Sequence, residues 1–132
     1  SVAADGFLRL HHLTGKQNYL EVAEKTLAYF VSDIERYGIA ASVYGLAVEL
    51  YLHPMTVHIV GSMNDEATRR FRSECLKAYN PLKVVETLDP ALDDSMLNAL
   101  GYPVTDVATA YVCFEGKCNA VEDPEKIGKK IR

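Results

Sequence analysis

Apolar residues recur at helical spacing from Ser1 to Leu52, and the punctuation between them divides this stretch into three segments. The first carries Val2, Ala3, Phe7, Leu10 and Leu13 and stops after Thr14, where Gly15 can take the left-handed conformation that closes helices. The second runs from about Gln17 to Tyr37, with Tyr19, Leu20, Ala23, Leu27, Phe30, Val31 and Ile34 on one broad face, and stops at Gly38. The third holds Ala41, Val43, Tyr44, Ala47, Val48, Leu50 and Tyr51 before His53 and Pro54 end it. The pattern predicts helices joined by short turns and packed as antiparallel hairpins. Three helices with unfilled apolar faces make an incomplete layer, and Ser1 enters the first with no turn or cap ahead of it. The expectation is that the helices of residues 1–53 are covered by a chain continuing in the N-terminal direction or by another copy of this one, a homo-oligomer.

After Pro54 the period changes. Thr56 to Val60 is a short β-branched run ending in Gly61, and Ala67, Phe71, Cys75, Ala78 and Tyr79 follow at helical steps between Asn64 and Tyr79. Lys83 to Leu88 reads as a second strand, stopped by Asp89-Pro90. A strand, helix, strand order implies a parallel pair with a right-handed crossover. A weaker helix carries Leu92, Met96, Leu97 and Leu100, with Gly101 and Pro103 as terminators. Ala108 to Phe114 is a third strand, Lys117 to Val121 a returning fourth, and Asp123 with Pro124 opens a last helix to Ile131. The reading is an α/β chain: α-helical hairpins over 1–53, then a small, mainly parallel sheet of three to four strands flanked by helices over 54–132.

Composition narrows the partners. The chain has 132 residues, 48% hydrophobic and 24% charged, as an ordinary globular protein does. A net charge of −4 with dispersed acids argues against nucleic acid, whose phosphates draw on clustered Lys and Arg. The one basic cluster, Lys126, Lys129, Lys130 and Arg132, suits the end of a last helix. No stretch reaches the roughly 18 apolar residues of a membrane span, and no basic region precedes a hydrophobic run at the N-terminus. The expected setting is the cytoplasm, where reduced thiols are the default for a chain with three cysteines.

Cys113 and Cys118 are the arrangement most suggestive of specific chemistry. If Glu115 and Gly116 form a two-residue hairpin turn, Phe114 faces Lys117 and the two thiols face each other within disulfide reach. Three readings stay open: a redox dithiol, with only Lys117 adjacent to stabilise a thiolate; a metal site, for which the pair supplies two of four ligands; and a structural pair that packs the hairpin. His11 and His12 are neighbours on one helix, so they point about 100° apart and cannot chelate together; one could face a cavity, though surface placement is simpler. His58 reads as a half-buried strand residue and His53 as a helix-end imidazole. Val60-Gly61-Ser62 superficially resembles a phosphate-binding turn, but Asp65 and Glu66 would repel a phosphate, and Ser62 or Asn64 as N-cap accounts for the residues. Cys75 belongs to the Phe71, Ala78 and Tyr79 stripe and should be core. Glu21, Glu24, Glu35, Glu49, Asp93 and Asp94 form no recognisable acid/base pair, so no complete catalytic constellation, cofactor site or metal site is expected.

The succession of Ser1-Val2-Ala3-Ala4 to Leu13-Thr14-Gly15, a helix ending near Tyr37, Val57-His58-Ile59-Val60-Gly61, and Thr109-Ala110-Tyr111-Val112-Cys113 to Cys118 resembles the C-terminal end of the thioredoxin-domain-containing, spermatogenesis-associated protein family. The resemblance spans the chain, and Tyr-Val-Cys to Cys is its most specific element. It implies an upstream thioredoxin-like domain and an α/α toroid related to sugar epimerases and six-hairpin glycosidases. The first 52 residues would be the toroid's last hairpins and the rest a terminal appendix with a cysteine pair. Asn119-Ala120-Val121 departs from the family's Pro-rich continuation. The expected role is a non-catalytic structural or interaction module of a larger protein. The alternatives are a redox module through Cys113 and Cys118, or part of a sugar-processing enzyme with His11 or His12 at a pocket.

Overall fold

The computed structural model describes residues 1–132, which divide into two compact units, Ser1–Pro54 and Met55–Arg132. The first unit is helical. Helix α1 (Val2–Thr14) buries Ala4 and Leu8, one turn apart, and Gly15 ends it at φ 70° with its N–H on the His11 carbonyl. Helix α2 (Gln17–Phe30) likewise buries Ala23 and Leu27. It is shorter than the apolar pattern predicts, because the backbone tightens into 3₁₀ turns over Val31–Arg36 and Gly38–Ala41. Val31, Ser32 and Asp33 are weak helix formers, and nothing in either turn is buried to hold an α-helical course.

Helix α3 (Ser42–Leu52) follows and buries Ala47 and Leu50. Helix α1 packs on both α2 and α3. Tyr44 donates its hydroxyl to the Leu27 carbonyl at 2.7 Å, and Tyr51 donates to Glu24 at 2.9 Å, so two tyrosines tie α3 to α2. One core cluster of this unit is thin: Ala4, Leu27 and Ala47, with Tyr44 and Val48 against them.

The second unit is a four-stranded sheet in the order β2-β1-β3-β4, formed by β1 (Met55–Val60), β2 (Lys83–Leu88), β3 (Thr109–Phe114) and β4 (Lys117–Val121). Strands β1 and β2 are parallel, as predicted, joined by α4 (Glu66–Lys77). The sheet as a whole is mixed rather than mainly parallel, since β3 runs antiparallel to β1 and β4 antiparallel to β3. Distance explains the difference. The 12 residues of α4 rise about 18 Å and carry the chain back along the sheet, whereas the seven of α5 (Asp94–Leu100) rise about 10 Å, half the length of a six-residue strand. The chain is still at the carboxyl end of β1 when β3 begins, where Thr109 pairs with Val60, and β3 runs back from there.

Val57 and Ile59 on β1, Ala110 and Val112 on β3, Phe71 and Cys75 on α4, and Ile127 and Ile131 on α6 (Ile127–Ile131) form the main core on one face. Cys75 is thus core, as its stripe predicts, and burial pushes its thiol up to about 11. On the opposite face Leu97 of α5 packs on Val60 and Leu88, with Met96, Tyr102 and Tyr111 around them. Asp65, not Ser62 or Asn64, caps α4, accepting from the Ala67 N–H, while Ser62 accepts from Asn64 in the preceding turn. Gly61 is required by close approach: a Cβ there would sit 2.3 Å from Thr68 Oγ1. Lys83 reaches back to donate to the Cys75 and Ala78 carbonyls, satisfying the end of α4 with a cation. Asp123 and Pro124 open a 3₁₀ turn that leads into α6.

Candidate functional site

The β3–β4 hairpin closes on Glu115 at φ 50° and Gly116 at φ 77°, the paired positive angles of a type I′ turn. Register then follows: Phe114 faces Lys117, and Cys113 faces Cys118 with Cα atoms 4.1 Å apart. The pair is joined by a disulfide. Cys118 lies on the exposed edge strand β4, whereas Cys113 is half-buried on β3.

Cys113 is not alone on its face of the sheet. His58 on β1 pairs with Glu86 on β2 and with Tyr111 on β3, so the three residues form a row across the strands. Gly101 at φ 75° ends α5, the Tyr102 N–H bonds back to the Leu97 carbonyl, and the chain is turned so that the Tyr102 ring stacks on Tyr111 at 4.3 Å. The Tyr102 hydroxyl is thereby placed 2.8 Å from His58 Nδ1 and 3.8 Å from Cys113 Sγ. On the other side of the imidazole, Nε2 lies 3.6 Å from Glu86 Oε2. Hydrogen-bond contacts thus run from His58 through Tyr102 to Cys113 on the disulfide, and Glu86 extends this polar string at 3.6 Å, just outside hydrogen-bond reach of the imidazole.

Burial sets the protonation along this string. His58 is 8% exposed, and desolvation lowers its pKa, which keeps the imidazole neutral. Desolvation, with Asp93 adding repulsion, raises Glu86 to about 7. Burial also raises Tyr102, helped by Tyr111 and Glu86, so its phenol stays protonated. A neutral imidazole between a carboxyl and a phenol presents one donor and one acceptor nitrogen, the arrangement a proton needs to pass between its neighbours.

His58 is therefore more than a half-buried strand residue. Glu86, Tyr102 and Tyr111 were absent from the sequence candidates, and the alternation of β1 against β2 is the signal that could have linked Glu86 to His58. His11 and His12 sit together on α1 with ring centroids 5.3 Å apart, tilted by 59°. His11 donates Nδ1–H to the Lys16 carbonyl at 3.1 Å, a bond that serves the α1–α2 turn. Neither lines the apolar groove of about 230 Å³ between Phe30, Ile34, Tyr37, Ala40, Ala41 and Tyr44. Of the carboxylates, Asp93 accepts from the Asp89 N–H and Glu24 from Tyr51, both local structural roles. No group of three or more His, Cys, Asp or Glu is placed to hold a metal ion, and no helix is long and apolar enough to cross a membrane. No family model, curated protein or solved structure matches the chain.

Proposed function

We propose that this chain is a non-catalytic structural and interaction module, the terminal part of a larger cytoplasmic protein of the thioredoxin-domain and toroid kind that its sequence resembles. The observation that carries the reading is the apolar surface of the first unit. Tyr29, Val31, Tyr37, Ile39, Val43 and Leu46 are all exposed, Ile39 at 92%. So many large apolar side chains on one short helical unit mark a surface that works against protein. In the isolated chain the occupant is a second copy, and sedimentation equilibrium should show concentration-dependent dimers. Ile39→Asp should weaken association by roughly tenfold, the worth of one well-placed apolar anchor. A monomer at high concentration that binds no hydrophobic dye would sink this reading.

A redox role is the second reading, favoured by the Cys113–Cys118 bond. In a reducing cytoplasm a permanent staple is disfavoured, so a bonded pair there is better suited to exchange. Thiol titration against glutathione buffers should give two reactive thiols and a measurable potential; two sulfurs inert in every buffer would end it.

A further inference from the structure

We propose that the hairpin disulfide exchanges with an incoming dithiol in one direction, Cys118 being the sulfur attacked and Cys113 the leaving group, protonated by Tyr102 through a relay from His58 and Glu86. The inference rests on the redox reading and adds to it the polarity of the bond and the source of the proton.

Two asymmetries carry it. The first is access. Exchange requires a thiolate to approach along the S–S axis from beyond the sulfur it attacks. Cys118 is on the exposed edge strand, whereas Cys113 sits on an inner strand with the Tyr102 hydroxyl 3.8 Å from its sulfur. The second is the proton supply. Only Cys113 ends the string formed by Glu86, His58 and Tyr102, at 3.6 Å, 2.8 Å and 3.8 Å between successive groups.

The step balances as follows. A thiolate of the dithiol bonds to Cys118 Sγ, the Cys113–Cys118 bond breaks, and its electron pair goes to Cys113 Sγ. Tyr102 gives its hydroxyl proton to that thiolate and takes one from His58 Nδ1, while His58 Nε2 takes the proton of the Glu86 carboxyl. The second thiolate of the dithiol then attacks its partner sulfur, closing a cyclic disulfide and releasing Cys118, which is protonated by water. The dithiol is oxidised, the protein disulfide reduced, and Glu86 recovers its proton from solvent. Burial keeps the string competent near neutrality, because Glu86 holds its proton up to about pH 7 and His58 stays neutral. The ionisable groups against Glu86 are Asp93, which favours its protonated form, and His58 with Tyr102 beyond it.

The test uses the full chain, oxidised, and dithiothreitol in stopped flow from pH 5.5 to 8.5, with each rate divided by the thiolate concentration. The normalised rate should fall as pH rises through about 7, where Glu86 ionises. Tyr102→Phe keeps the stacked ring and should slow the low-pH rate by about threefold, what one pKa unit on the leaving sulfur is worth at a Brønsted slope near one half. Glu86→Gln should flatten the profile. Trapping with 2-mercaptoethanol and iodoacetamide should place the mixed disulfide on Cys118 and the alkyl group on Cys113. A mixed disulfide on Cys113, or profiles that neither variant alters, would overturn the relay while leaving the redox reading intact. A disulfide that dithiothreitol never reduces would overturn both.

Discussion

At the scale of single residues, Glu86 is a half-buried carboxyl on β2. Its carboxyl is raised from an ordinary 4.5 to about 7 by desolvation first and by Asp93 second. Between those values the folded protein binds a proton that the unfolded chain does not. Stability contributed by this proton is full below pH 4.5 and is lost as pH rises to about 7. Glu86→Gln cannot ionise, so the variant should match the parent in acid and gain on it with rising pH, by on the order of 1–2 kcal/mol once solvent shielding is allowed for. His58 works in the opposite sense, because its lowered pKa makes the folded state lose stability as pH falls below the ordinary 6.5. That contribution is present in both proteins, so the difference between their urea-unfolding free energies from pH 4 to 8 isolates Glu86. A difference that stays flat across this range would mean that the carboxyl is not desolvated as the structure has it.

At the scale of elements, the junction of β1 and α4 is held by a close contact between Gly61 and Thr68. Thr68 is fully buried and its hydroxyl has no hydrogen-bond partner, and it occupies the space that a Cβ on Gly61 would need. Gly61→Ala should therefore destabilise by about 1–3 kcal/mol, as overpacking does. Combined with Thr68→Ala, which removes the hydroxyl 2.3 Å from the new carbon, the penalty should shrink, and a double-mutant cycle by chemical denaturation reads that coupling. Additive penalties would show that the glycine is needed for another reason. Asp65 and Glu66 disfavour a phosphate at this turn, and the packing against Thr68 supplies the positive reason for the glycine. Features set by neighbours along the chain were legible in this way: Gly15 and Gly101 as helix ends, Asp123-Pro124 as a start, and Glu115-Gly116 as the turn that pairs the cysteines. Features set across the chain were not. The apolar period continues past Phe30 although nothing in Val31–Arg36 is buried, so it predicts a longer α2 than the fold contains. The direction of β3 depends on where the segment between Leu88 and Thr109 leaves the chain, which periodicity does not encode. The string from Glu86 to Cys113 depends on parallel register and on a contact between residues 44 apart, His58 and Tyr102, neither visible in spacing.

At the scale of the whole molecule, the two units differ in what their cores can sustain. The second has a sheet sealed on one face by Phe71, Ile127 and Ile131, all fully buried, and its 55–132 segment lies within the size range that folds alone. The first has helices of 13, 14 and 11 residues, each near the roughly 12–15 residue length at which an isolated helix is marginal in water. Its buried side chains are Ala4, Leu8, Ala23, Leu27, Ala47 and Leu50, three of them alanines, whose burial removes little apolar area from water. Meanwhile Ile39 and Tyr29 remain outside. Expressed separately, residues 55–132 should unfold cooperatively with dispersed amide resonances. Residues 1–54 should be weakly helical when dilute and gain helix by circular dichroism as concentration rises, because association supplies the burial that its own core lacks. The concentration dependence is the decisive reading. A 1–54 segment that is fully helical and monomeric when dilute would show that the thin core suffices, and the proposal that its exposed apolar side chains serve another copy would lose its physical basis.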